Sequence, residues 1–222
     1  MLFHLAEPAV LLGIALGVIL GVYVHSVAQV IASAATHDPT ARRSGRLSPR
    51  PVSHLGIYSA IAVVIVGYGW AEPVPMNDRW RSRRFVVTGA LLAGPLMLAV
   101  LCLAALGGLR MTVTDVGQSS GSGLSFVARL LLWVAYTLGA LFVVSLIPLG
   151  PTDGSRILWL LGGTSYGWQK ARYQLEERNI GLGILLGLLL LPVLLGGFPS
   201  VVGQLVPPLL RGLGSLVGLS LP

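Results

Sequence analysis

An all-α polytopic membrane protein is what this sequence predicts, and three observations predict it. Hydrophobic residues make up 54% of the chain and charged residues only 10%, against about 25% charged in ordinary soluble domains. Mean hydropathy is +0.81. Apolar runs of about 20 residues recur, the length at which a helix crosses hydrocarbon while satisfying its own backbone groups. With 222 residues there is room for one integral membrane domain, residues 1–222, built from several helices.

The expected spans are residues 10–34, 85–109, 130–149 and 181–198. Residues 55–68 form a shorter apolar run, and 201–221 is interrupted by Pro207-Pro208 and Arg211. These two read as short, re-entrant or interfacial pieces, giving about four to six membrane segments in all. The N-terminal run lacks the basic region of a signal peptide and is too long for one, so it is expected to be a retained helix. Cys102, a single cysteine in the middle of a span, allows neither an intramolecular disulfide nor a cysteine-rich metal site.

The net charge of +7 comes from clustered arginines: Arg42, Arg43, Arg46 and Arg50 in one connection, Arg79, Arg81, Arg83 and Arg84 in the next. Loops facing anionic headgroups explain them. Nucleic-acid binding would call for a soluble basic face with aromatic platforms, and none is visible. Were residues 55–68 to cross the bilayer, the two clusters would fall on opposite sides. A dip or short hairpin keeps both on the cytoplasmic side, and Pro51, Gly56, Gly67 and Gly69 punctuate the run accordingly. Residues 110–125, rich in Gly and Ser, are expected as a flexible loop. Residues 165–179, with Tyr166, Trp168, Lys170, Arg172 and Tyr173, are expected as a polar segment at headgroup level.

Two motifs carry the chemistry. The first apolar run contains His25-Ser26-Val27-Ala28-Gln29, and the third ends in Pro148-Leu149-Gly150-Pro151-Thr152-Asp153-Gly154-Ser155-Arg156. A His-Glu-x-x-His helix puts two imidazoles on one face to bind zinc, with the Glu as general base. Here Ser26 stands at the Glu position and Gln29 at that of the second His. An amide oxygen is a poor zinc ligand, and a hydroxyl cannot take a proton usefully at neutral pH. Asp153 is an ionisable group at membrane depth, where such groups are expensive and tend to be functional. Pairing with Arg156 or with helix-terminal amides is its alternative explanation.

With these motifs the chain resembles the site-2 protease family of intramembrane zinc metalloproteases, in its compact bacterial branch without a PDZ domain. Further matches follow in order over most of the first 160 residues. They are His37-Asp38-Pro39-Thr40-Ala41 with Gly45-Arg46-Leu47, in part Arg50-Pro51-Val52-Ser53-His54, then Gly69-Trp70-Ala71-Glu72-Pro73-Val74-Pro75-Met76-Asn77, Ala93-Gly94-Pro95, and Ser145 through Arg156. The resemblance implies a site-2 protease-like helical bundle over 1–160, followed at 161–222 by a polar connection and one or two apolar segments. It implies that His25 and Asp153 are vestigial zinc ligands, with Gln29 at the place of the missing one. His54, and His37 where the family carries Gly, are the residues that could rebuild a ligand set. Ser145, and Leu96-Met97-Leu98 after the Ala-Gly-Pro, stand where relatives often carry Asn.

Losing the base and a ligand together implies a protein without an intact catalytic residue, holding zinc weakly or not at all. The expected function is that of a pseudo-protease that binds single-span membrane segments in the bacterial inner membrane, with lipids as its other partners. An active zinc metalloprotease with an unusual ligand set is the first alternative. A transporter or assembly subunit is the second, for which an inverted repeat would speak and none is seen. Richness in Gly, Ala, Leu and Arg with a single Lys fits a high-GC bacterium.

Overall fold

The structure, a computed structural model, describes residues 7–45, 47, 54–76, 84–116, 124–196 and 200–219, the side chains of 113–116 and 194 excepted. The described residues form helices α1 (Pro8–Ala35), α2 (Thr40–Arg43), α3 (Ile57–Val66), α4 (Arg84–Val116), α5 (Phe126–Leu146), α6 (Asp153–Leu161), α7 (Tyr166–Arg172), α8 (Ile180–Leu195) and α9 (Val201–Leu216), with one π-helical turn, Tyr173–Glu177, after α7. No strand occurs among them, as the all-α prediction requires.

Three helices are long and apolar enough to cross a membrane: α1, α4 up to Thr112, and α5. They pack on one another to make the core. Glycines set how closely. Gly13, Gly17 and Gly21 recur every fourth residue of α1 and so share one face. A Cβ on each would lie 2.8 Å from Trp133 Cβ, 2.8 Å from Thr137 Cβ and 2.5 Å from Leu141 Cδ1. Small residues at such spacing let membrane helices approach backbone to side chain. The contacts ascend together along both helices, so α1 and α5 run parallel. The opposite order holds for α4, where Leu98 meets Gly21 and Gly94 meets His25, so α4 is antiparallel to α1. On its outer side α1 leaves Leu12, Leu16 and Ile19 about half exposed, the apolar-all-round character of a membrane span.

Between α1 and α4, residues 54–76 run out and turn back. Helix α3 has 10 residues and rises only about 15 Å, half of a bilayer core. It ends at Gly67, left-handed at φ 91°, and the chain runs back extended until the Glu72 N–H donates to the His54 carbonyl at 2.8 Å. Ser59, fully buried, fastens the return by donating to the Trp70 carbonyl (2.7 Å) and accepting from the Trp70 N–H (2.8 Å). Gly69 is required there, because a Cβ would sit 2.4 Å from Ser59 Oγ. Arg42, Arg43 and Arg84 consequently lie at the same end of the bundle, as the charge pattern anticipates. Arg46, Arg50, Arg79, Arg81 and Arg83 fall outside the described residues.

Three expectations change. The run at 181–198, expected as a full span, becomes the 16-residue helix α8, about 24 Å long and short of a full crossing. The 201–221 run is not broken by its prolines: α9 continues through Pro207 and Pro208, burying Val202, Val206, Leu210 and Gly214 along one face. The loop expected over 110–125 begins later, since α4 stays helical to Val116, with no Gly or Pro between Arg110 and Gly117 to stop it. Residues 117–123 lie outside the described set. Helix α8 starts beside Gly150 at the arginine-bearing end, where Gly181 packs on its backbone. Helix α9 ends beside Arg110, whose guanidinium donates to the Val217 carbonyl at the opposite end.

Candidate functional site

The glycine stripe of α1 continues, at the same four-residue spacing, into His25 and Gln29. Both are buried, at 2% and 0% exposure, as is Asp153 at 5%. His25 Nε2 lies 2.7 Å from Asp153 Oδ2, and Gln29 Nε2 donates to Asp153 Oδ1 at 2.8 Å. Sequence positions 124 and 128 residues apart thus meet in one centre. A neutral imidazole that donates to the carboxylate through Nε2–H carries its lone pair on Nδ1. That Nδ1 and Gln29 Oε1 are buried without a hydrogen-bond partner.

Local chemistry places each group. Asp153 opens α6, where the helix dipole favours a carboxylate. Thr152 caps the helix by accepting from the Ser155 N–H at 3.3 Å and donates to the Ile147 and Leu149 carbonyls. The next residue must be glycine, since a Cβ at Gly154 would lie 2.2 Å from the Leu146 carbonyl oxygen. That close approach turns the corner from α5 to α6 and aims Asp153 at α1. On α4 a Cβ at Gly94 would lie 2.5 Å from His25 Nε2, so the imidazole packs flat on helix backbone.

Pro95 explains Gln29. Lacking an N–H, a proline inside a helix strips residue i−4 of its donor, here Leu91. Gln29 Nε2 donates to the Leu91 carbonyl at 2.8 Å while also serving Asp153. Both contacts are acceptors, which fixes the amide orientation: the NH₂ faces the centre and the oxygen points away. Ser26, expected from the resemblance at the place of a general base, donates to the Val22 carbonyl of its own helix at 2.9 Å and is fully buried. Ser145 likewise bonds back to the Phe142 carbonyl.

The other expected residues go elsewhere. Arg156, the alternative partner for Asp153, instead donates to the Val74 carbonyl at 2.6 Å, tying α6 to the returning segment. His54 is fully buried on the hairpin, with its ring edge-on to Tyr23 at 5.4 Å. His37 has φ 65°, in the left-handed conformation that ends helices and favours glycine, the residue carried there by the family the sequence resembles. Among the described residues no three His, Cys, Asp or Glu side chains form a group able to hold a metal ion.

Zinc does not fit this arrangement. A catalytic zinc takes three protein ligands at about 2.0–2.3 Å and keeps a water on the fourth position. Here His25 and Asp153 are closed on each other at hydrogen-bond distance, and the third place presents N–H donors rather than a lone pair. The crevice beside His25, walled by Gly21, Ala71, Leu98 and Ser145, has no room for a water. Sequence reasoning missed the pairing of Gln29 with Pro95. The signal was there: a proline four residues after Leu91 announces an orphan carbonyl.

The fold and this centre define an all-helical membrane protein with a buried His–Gln–Asp cluster where three of its helices meet. Over 138 residues the chain is 30% identical to a Bacillus subtilis (strain 168) protein named "Putative zinc metalloprotease YwhC", a match covering 60% of this chain and 62% of the relative. The match thus spans less than two thirds of the relative's length. No family model matches the chain, and no solved structure does.

Proposed function

We propose that this chain is a site-2 protease-like membrane protein of the bacterial inner membrane that has lost proteolytic chemistry and binds single-span membrane segments. One observation carries the reading: the Gln29 amide donates into the centre, to Asp153 and to Leu91 at once. A group that donates to the carboxylate does the opposite of a second imidazole ligand, and it satisfies the carboxylate without metal. The self-bonded Ser26 and the tight crevice at His25 support the same reading, because hydrolysis needs a base and room for a water. The likeness to a protein named as a zinc metalloprotease supports the ancestry.

An apolar groove of about 450 Å³ lies beside the centre, lined by Leu92, Leu146, Pro148, Gly154, Ile157 and Leu161. Apolar side chains of a membrane segment would be buried there without reaching His25. The test uses purified protein in nanodiscs with single-span helical segments carrying a photo-crosslinker. Crosslinking without cleavage, lost on Leu92→Trp, is the expected result. Chelator-sensitive cleavage would overturn the reading, and so would an absence of crosslinking to any apolar segment.

A further inference from the structure

A second cavity lies outside this centre, between α6, the π-helical turn and the start of α8. Its volume is about 320 Å³, and Gly150, Arg156, Trp159, Arg172, Glu176 and Asn179 line it. Neither the metalloprotease likeness nor the proposed segment binding uses it. The backbone around it is specialised. Asn179 is left-handed at φ 55° and Gly150 at φ 63°, and π-helical turns such as Tyr173–Glu177 frequently mark functional sites.

The charges in this cavity are only partly spent. Arg156 gives one N–H to the Val74 carbonyl, and Arg172 gives its Nε–H to Glu176 at 3.0 Å. Each guanidinium has five N–H donors, and among the described residues the others find no protein acceptor. Glu176 is held by Arg172 and by the Ser155 hydroxyl at 3.4 Å, so it cancels one of the two positive charges. One net positive charge remains over a wall formed by Trp159. Planar guanidinium groups with spare donors match the oxygens of a phosphate. A phosphodiester carries a single negative charge, which balances the cavity.

Depth identifies the source. The cavity sits at the bundle end that carries Arg42, Arg43 and Arg84, beside α7 with its exposed Tyr166 and the half-exposed Tyr173. That is the aromatic and basic belt of a membrane surface. From these observations we infer that the cavity binds the phosphodiester of an anionic phospholipid headgroup, held by Arg156 and Arg172.

The test places the full chain in phosphatidylcholine nanodiscs doped with phosphatidylglycerol and counts co-purifying lipid by native mass spectrometry. Phosphatidylglycerol is expected to be retained over phosphatidylcholine, and Arg172→Gln or Arg156→Gln to lower that retention about tenfold, as for one charge-assisted hydrogen bond. Lys170→Gln, a neighbouring cation outside the cavity, is expected to leave retention unchanged. Arg172 is half exposed, where a substitution is expected to be mild for stability, so its variant decides even where Arg156→Gln fails to fold. In detergent, stabilisation by glycerol 3-phosphate that is lost in Arg172→Gln would uphold the phosphate chemistry and assign it a soluble source. No preference for phosphatidylglycerol together with no response to glycerol 3-phosphate overturns the inference. An equal loss in Lys170→Gln, which marks diffuse surface attraction, overturns it too.

Discussion

Gln29 supplies the hydrogen bond that Pro95 denies to its own helix. The α4 carbonyl left open by the proline, that of Leu91, accepts the Gln29 amide at 2.8 Å, and the same nitrogen reaches Asp153. The position that the resemblance assigns to a second metal ligand carries a side chain that ties α1 to α4 and α6.

This pairing makes a double-mutant prediction. Gln29→Met keeps the volume but strips two buried acceptors of their donor, at a cost of about 2 kcal/mol. In a Pro95→Ala background the helix recovers its own N–H for Leu91, so the same substitution should cost about 1 kcal/mol less. Thermal or denaturant unfolding of the four proteins measures the coupling. Strict additivity would show that the Leu91 bond is incidental.

Asp153 is predicted to be a structural keystone. Asp153→Ala leaves the His25 ring and one N–H of the Gln29 amide buried without their acceptor, at a cost of about 3 kcal/mol. Unfolding in detergent reads this directly. A change below about 0.5 kcal/mol, the usual range of a surface substitution, would mean that the three groups do not form one network.

The close fit of His25 on α4 predicts that Gly94→Ala destabilises by about 2 kcal/mol, the usual range for overpacking. The new Cβ would fall 2.5 Å from an imidazole that Asp153 holds in place, so the ring cannot simply swing away. Coupling to Asp153→Ala, which frees the ring, should lower the cost of Gly94→Ala in the same unfolding assay.

Of this architecture, the apolar runs and the arginine clusters made the three long helices and the returning hairpin legible before any coordinates. Both are bulk properties that the membrane enforces. The fate of 181–198 was not legible, because hydropathy counts apolar residues and does not see where a helix stops. At the site, the motif positions and the family resemblance singled out His25, Gln29 and Asp153, but their bonding to one another was not legible. Arg156 stood three residues from Asp153 and was one candidate partner for it, yet the Val74 carbonyl, brought in by a distant segment, accepts its hydrogen bond.

His37 gives a case where resemblance and geometry explain each other. Its φ of 65° suits glycine, so His37→Gly should stabilise the chain by about 1 kcal/mol. A rise in the midpoint of thermal unfolding checks it. A loss of stability would mean that the imidazole contributes more than its backbone conformation costs.

The central claim is that a hydrogen-bond network has replaced a zinc site, and metal content tests it most directly. Elemental mass spectrometry on detergent-purified protein should find no stoichiometric zinc in the wild type. Ser26→Glu with Gln29→His, which restores a base and an imidazole, should gain zinc and become chelator-sensitive. Near-equimolar zinc in the wild type, lost on Asp153→Ala, would contradict the account and return the chain to the active metalloproteases.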